Sequence, residues 1–164
     1  MSMVIPPKHR DGDLGVLSPL KLDKNQCKDI IALHKDSQNV HKTAKIQSDG
    51  SNVVNLETRD TDVWVIHENH SWVDAILCTA ALTANHTFEL NLSGLMERPQ
   101  LLRYKAPSNG YNWHTDIGRG DASNRKISLS IILNDDYEGG ELAFFINGEQ
   151  SISPEVGDAV AFPS

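Results

Sequence analysis

The sequence predicts an α+β fold, mainly β, in which helices from the first half of the chain pack on a β-sandwich or barrel built from the second half. Three observations carry this. Apolar residues recur at helical spacing near residues 18–36 and 71–84. Short strand candidates crowd the chain from residue 86 onward. No helix separates those later strands, which disfavours a parallel α/β sheet.

The first helix is expected after Ser18-Pro19, with Asp23 as its N-cap and Cys27, Ile30, Ile31 and Leu33 on one face. Residues 37–58 are polar and weakly patterned. DVWVIHEN at 62–69 is rich in β-branched and aromatic residues and reads as a strand or strand pair. A second helix follows at 71–84, with Ser71 as its cap. Then come FELNLSGL, PQLLRY, YNWHTD, RKISLSIILN, GGELAFF and GDAVAF as strands, separated by SNG, GRGDASN, DDYEGG, NGE and SPEVGD. Those separators are clusters of Gly, Asn, Asp, Ser and Pro, the residues that build turns. With no internal repeat and no low-complexity linker, residues 1–164 form one expected domain: a helical part over 18–84 and a β core over 86–164.

Composition excludes several function classes. The net charge is −7, and seven acids after Lys126 account for all of it, so no basic face for nucleic acid is expected. The two cysteines, Cys27 and Cys78, form no C-x-x-C pair and are expected reduced. The N-terminus MSMVIPPKHRDGDLG lacks the apolar run of a signal peptide, and ISLSIIL is only strand-length, so no membrane association and a cytoplasmic location are expected.

His114-Thr115-Asp116 falls on an expected strand, where residues two apart point to the same face and can reach one ion. An imidazole and a carboxylate supply two thirds of the 2-His-1-carboxylate set that holds iron(II) and leaves open positions. The pattern alone is weak in a chain with 7 histidines. His34-Lys35-Asp36 matches it too, but at the end of an expected helix, where positions i and i+2 point apart. His67 and His70 fall where a strand gives way to a helix, and a loop surface is expected there.

What sets His114 apart is its surroundings. Residues 101–145, LLRYKAPSNGYNWHTDIGRGDASNRKISLSIILNDDYEGGELAFF, resemble the iron(II)- and 2-oxoglutarate-dependent dioxygenases, specifically the prolyl-4-hydroxylase-like, PKHD-type hydroxylases. A tyrosine-bearing strand precedes H-x-D, an Arg-Lys strand ends in Leu-Asn, and Tyr-x-Gly-Gly-Glu-Leu follows. Thinner likeness extends to Arg59 and DVWV, Asn85, Phe88 and GDAVAFPS. The resemblance implies a double-stranded β-helix, or jelly roll, with the N-terminal helices on one sheet. It also implies Fe(II), 2-oxoglutarate as cosubstrate, O2, and ascorbate as an optional addition. The expected reaction is hydroxylation of prolyl residues in a peptide or protein, with 2-oxoglutarate decarboxylated to succinate.

By the same resemblance Tyr104 reaches 2-oxoglutarate, with a core tyrosine as the alternative. Alternation in RKISLSIIL puts Ile127, Leu129, Ile131 and Leu133 on one face and Ser128 and Ser130 on the other, as pocket wall or exposed strand. Leu142 is expected beside the cosubstrate and Glu141 in turn chemistry. Tyr111 and Arg125 are the substrate-side candidates, Arg125 with a surface charge as its alternative. The family's third ligand, a second His, and the base that follows it are not found after GDAVAFPS. A C-terminally truncated chain is therefore expected, with that His beyond Ser164. Two readings from other classes remain open: a catalytically inactive β-helix binding module, and a cupin-like metalloenzyme of other chemistry.

Overall fold

A computed structural model describes residues 15–43, 46–48, 51–53, 59–108, 110–145 and 148–164. The expected reading of the first residues lies outside these. The fold combines two α-helices with antiparallel strands. Helix α1 spans Lys24–Ala32. It starts where the sequence suggests, because Asp23 closes a capping box. Its carboxylate accepts from the Asn25 and Gln26 amides at 2.8 and 2.9 Å, and the Gln26 side chain accepts from the Asp23 amide. Cys27 and Ile30 bury the inner face, and a 3-10 turn, Leu33–Lys35, ends the helix.

The segment that reads as featureless carries short strands: β1 (Val40–Thr43), β2 (Ile46–Ser48) and β3 (Ser51–Val53). β2 and β3 pair with each other, whereas β1 pairs with β4 (Asp62–Val65), which pairs in turn with β5 (Gln100–Arg103). β4 is the central strand and buries both of its faces, Val63 on one and Trp64 on the other. His41 stacks on Trp64 at 4.8 Å, and the Arg103 guanidinium lies 4.9 Å from the same ring. That polar cover is why β1 shows no hydrophobic alternation.

Helix α2 runs over Ser71–Phe88. Ser71 is not its N-cap, because a 3-10 turn, Glu68–His70, feeds directly into it. The helix also overruns its expected end. Ala80 and Ala84 continue its buried face, Glu89 adopts a left-handed φ of 52°, and Asn85 clasps Leu90 through both its carbonyl oxygen and its amide. FELNLSGL therefore forms no strand. Arg98 pins the chain that follows, with a two-point contact to Asp74 at 3.0 and 2.9 Å and a bond to the Ile66 carbonyl.

The second half supplies β6 (Ile127–Ile131), β7 (Leu142–Phe145), β8 (Glu149–Ile152) and β9 (Ala159–Pro163). β6 pairs with β9, and β7 with β8. The other edge of β9 is taken by the N-terminal stretch, through Leu17 to Ala161 and the Leu20 carbonyl to the Ala159 amide. Opposite residues of an antiparallel pair share a face. Ile127, Leu129 and Ile131 thus share one face with Ala159 and Ala161, and α2 packs on this β6–β9 sheet. Ser128 and Ser130 share the other face with Phe162 and Val160. Phe144 of β7 meets Phe162 edge-on at 4.9 Å, which brings the β7–β8 hairpin to that second face.

The main core gathers Leu22, Cys27, Ile30, Leu33, Trp64, Ile66, Val73 and Leu101. Both cysteines are free thiols, as the sequence suggests. Beside this core sits the buried Asn39, which donates to the Leu33 carbonyl and accepts from the His67 amide, both at 2.7 Å. It ties the end of α1 to the end of β4. Asn39→Ala strands two backbone groups and is expected to cost roughly 2–4 kcal/mol in urea unfolding. A loss below about 1 kcal/mol would show that water replaces both bonds.

Candidate metal centre

The site lies on residues 104–126, the excursion between β5 and β6. β4 and β5 separate after Asp62 and Arg103 and meet again at an isolated bridge between Arg59 and Tyr111. The Asp60 amide donates to the Gly110 carbonyl at 3.0 Å, and the Ser108 hydroxyl donates to the Asp60 carbonyl at 3.0 Å. The loop is thereby fixed to the end of the three-stranded sheet.

YNWHTD is not the strand its composition suggests; Tyr111 alone keeps a bridge. Side chains take the carbonyls that a ladder would use. The His114 ring bonds the Asn112 carbonyl at 2.7 Å, the Thr115 hydroxyl bonds that of Ile117, and Arg125 bonds that of Asp116 at 2.8 Å. His114 and Asp116 still meet, with Nε2 3.3 Å from Oδ1. A bend at Asp116 does what the pleat was expected to do.

In this geometry Nδ1–H of His114 donates to Asn112 and leaves Nε2 for Asp116 or an ion. That is the tautomer a metal ligand needs, with its other nitrogen oriented by a carbonyl. Asp116, followed by the Asn112 carbonyl, raises the His114 pKa above its ordinary 6.5, against the opposing effect of burial. His114, with help from the Ser128 hydroxyl, lowers Asp116 below 3.8, again against burial. In the metal-free chain the imidazolium's contribution to stability is full below pH 6.5 and fades as pH rises through the raised value. That of Asp116 is present above pH 3.8 and fades as pH falls through the lowered value. Both groups are about a third exposed, so the pair is worth roughly 0.2–1 kcal/mol. Thermal melts of wild type and Asp116→Asn should differ most between those limits and converge above the His114 transition. A constant offset across pH would contradict the pairing.

The other candidates divide. Ser128 stands beside Asp116 and within 2.9 Å of the Ser164 hydroxyl. Ser130 is on the same face but exposed, and Leu142 is half-buried on β7. Tyr104 is exposed, within electrostatic range of Tyr111. Tyr111 stacks flat on His114 with ring centroids 3.6 Å apart. Arg125 is not free: besides the Asp116 carbonyl it holds Glu97 at 2.7 Å. The second H-x-D does not assemble, since the His34 ring bonds the Ile31 carbonyl while Asp36 takes the Gln38 amide and His70. His67 accepts from the Asn69 amide. Residues not singled out by sequence reasoning are Glu97 and the Asn112 carbonyl; Arg59 entered only through the thinner family likeness, with no role, and its side chain lies over Tyr111 at 4.7 Å. Arg59 precedes His114 by about a third of the chain, and no local pattern links them.

The donor set fits two positions of an iron centre. Two donors at right angles around an ion with bonds of about 2.1–2.2 Å stand about 3.0–3.1 Å apart, close to the 3.3 Å observed. Among the described residues no group of three His, Cys, Asp or Glu is placed to hold a metal ion. Residues 99–164 match the family model of the 2OG-Fe(II) oxygenase superfamily. The matched stretch contains β5, the His114–Asp116 loop and β6 to β9. No curated protein matches the chain. Among the described residues no helix is long and apolar enough to cross a membrane.

Proposed function

We propose that the chain carries the iron centre of a 2-oxoglutarate-dependent hydroxylase, with His114 and Asp116 as two of its three protein ligands. The observation that carries this reading is the convergence of Nε2 and Oδ1 in the segment that matches the oxygenase family. Bound iron(II) supplies the centre at which O2 and 2-oxoglutarate give succinate and carbon dioxide while one oxygen atom enters a substrate C–H bond.

The protein's residues set up that chemistry. Asn112 fixes the His114 tautomer, Arg125 anchors the Asp116 backbone, and Ser128 braces its carboxylate. Ser128 and Ser130, with Tyr104 and Leu142, form the 2-oxoglutarate side in this reading, and Tyr111 and Arg125 the side nearer the substrate. The substrate in this reading is a prolyl residue of a peptide or protein. The finer fold is a double-stranded β-helix, supported by the β7–β8 hairpin meeting the serine-bearing face of β6–β9. The lack of a third donor among the described residues favours one second reading, an inactive binding module of the same fold.

Incubation with iron(II), 2-oxoglutarate and proline-containing peptides separates the two. The hydroxylase reading expects succinate together with a peptide one oxygen atom heavier. Peptide binding with no succinate would establish the module instead.

A further inference from the structure

The His114 imidazole is constrained on an edge and a face. Asn112 holds Nδ1, and Tyr111 covers the ring at 3.6 Å with only 17° between the planes. An imidazole at van der Waals distance occupies that face of the phenol ring, so the Arg59 guanidinium, 4.7 Å from its centroid, takes the opposite one. The result is a three-layer stack. Arg59 and the central Tyr111 are tied through the backbone as well, because they are antiparallel bridge partners.

Arg98, Arg103 and Arg125 each hold a carboxylate, whereas Arg59 pairs with none among the described residues, and its Nε is buried without a hydrogen-bond partner. A buried, unmet donor on a cation is disfavoured, so its placement calls for a cause other than ion pairing. The interaction it does make is with the Tyr111 ring, its guanidinium carbon 4.7 Å from the centroid. The loop it braces has no regular ladder after Tyr111, and His114 is partly exposed. An imidazole there would otherwise sample several rotamers, and ligation would have to order it.

We propose that Arg59 and Tyr111 are positioning residues that clamp the His114 imidazole, holding Nε2 toward the ion. The proposal rests on the iron-centre reading and deepens it. Neither residue needs to touch the ion or the substrate for the clamp to work. The ring face of Tyr111 matters, and its hydroxyl does not.

The test uses the full chain, Co(II) as a spectroscopic probe, and Tyr111→Val, Tyr111→Phe and Arg59→Met, each checked for folding by circular dichroism. Tyr111→Val is expected to weaken Co(II) binding about tenfold or more and to change the visible ligand-field spectrum, as loss of an orienting partner does. Tyr111→Phe should retain both, and Arg59→Met should fall between. A second readout needs no metal. In nuclear Overhauser spectra of the metal-free protein, the His114 ring protons should report one side-chain rotamer in wild type and Tyr111→Phe, and averaged rotamers in Tyr111→Val. A folded Tyr111→Val with wild-type affinity and a single rotamer overturns the clamp, as does a Tyr111→Phe that fails to rescue. If wild type and His114→Ala bind Co(II) equally, the iron-centre reading fails, while the rotamer measurement still decides the clamp.

Discussion

Asp116→Ala is expected to lower 2-oxoglutarate-dependent succinate formation by about 10³-fold or more, because a ligated ion is worth several kcal/mol to the reaction it organises. The loss has a local cause. The variant removes the carboxylate that stands 3.3 Å from Nε2 and so leaves His114 without its acidic neighbour. Asp116→Asn keeps size and backbone contacts but gives up the charge, and should be nearly as inactive. Stability should change little, since a pair this exposed contributes roughly 0.2–1 kcal/mol. A dead enzyme with only a small shift in its melting curve is therefore the expected signature, measured by succinate release alongside thermal unfolding. An Asp116→Ala protein with a tenth or more of wild-type turnover would remove Asp116 from the ligand set.

Gly157→Ala is expected to destabilise the fold by roughly 2–4 kcal/mol. Gly157 adopts φ +91°, and a Cβ there would overlap the Leu22 carbonyl oxygen and lie 3.0 Å from its carbon. The neighbour is backbone and cannot swing aside. The same residue accepts from the Leu22 amide at 2.8 Å and donates to the Ile132 carbonyl at 2.7 Å, so it joins the N-terminal stretch, the end of β6 and the start of β9 at one corner. Gly139→Ala is the matched control: its φ is +74°, but nothing lies within 4 Å of the added methyl. It should cost only the backbone strain, about 1 kcal/mol. Urea unfolding of both proteins gives the comparison. Equal losses would mean that the contact with Leu22 adds nothing.

The parts of this fold that were legible in the sequence are those where a local pattern and the tertiary structure agree. Asp23 and Gln26 mark the start of α1 because the cap is made within one turn. Alternation in β6 separates the Ile127 face from the Ser128 face, because one side packs against α2 and the other toward the site. The rejection of His34 and Asp36 as a ligand pair needed only the geometry of a helix end.

Features set by distant partners were not legible. β1 carries His41 where a hydrophobic residue would have announced it, because its cover of Trp64 is a stacked imidazole. α2 runs past residue 84 because Asn85 and Glu89 close it from beyond the expected boundary. His114 and Asp116 come together in space for a reason that differs from the expected one: a side-chain-bonded bend, with Arg125 and Asn112 shaping it, replaces the strand. Arg59 at the site is a consequence of the β4–β5 ladder resuming at Tyr111, which no window of sequence contains.

The central claim is that His114 and Asp116 ligate one divalent ion. Manganese(II) reports on this directly, because free Mn(II) gives a sharp solution EPR signal that is broadened on binding. Titration of the wild-type chain with Mn(II) in the presence of 2-oxoglutarate should show saturable binding to one site, weakened at least about tenfold in His114→Ala and in Asp116→Ala alike. Binding that is identical in wild type and both variants would contradict the account.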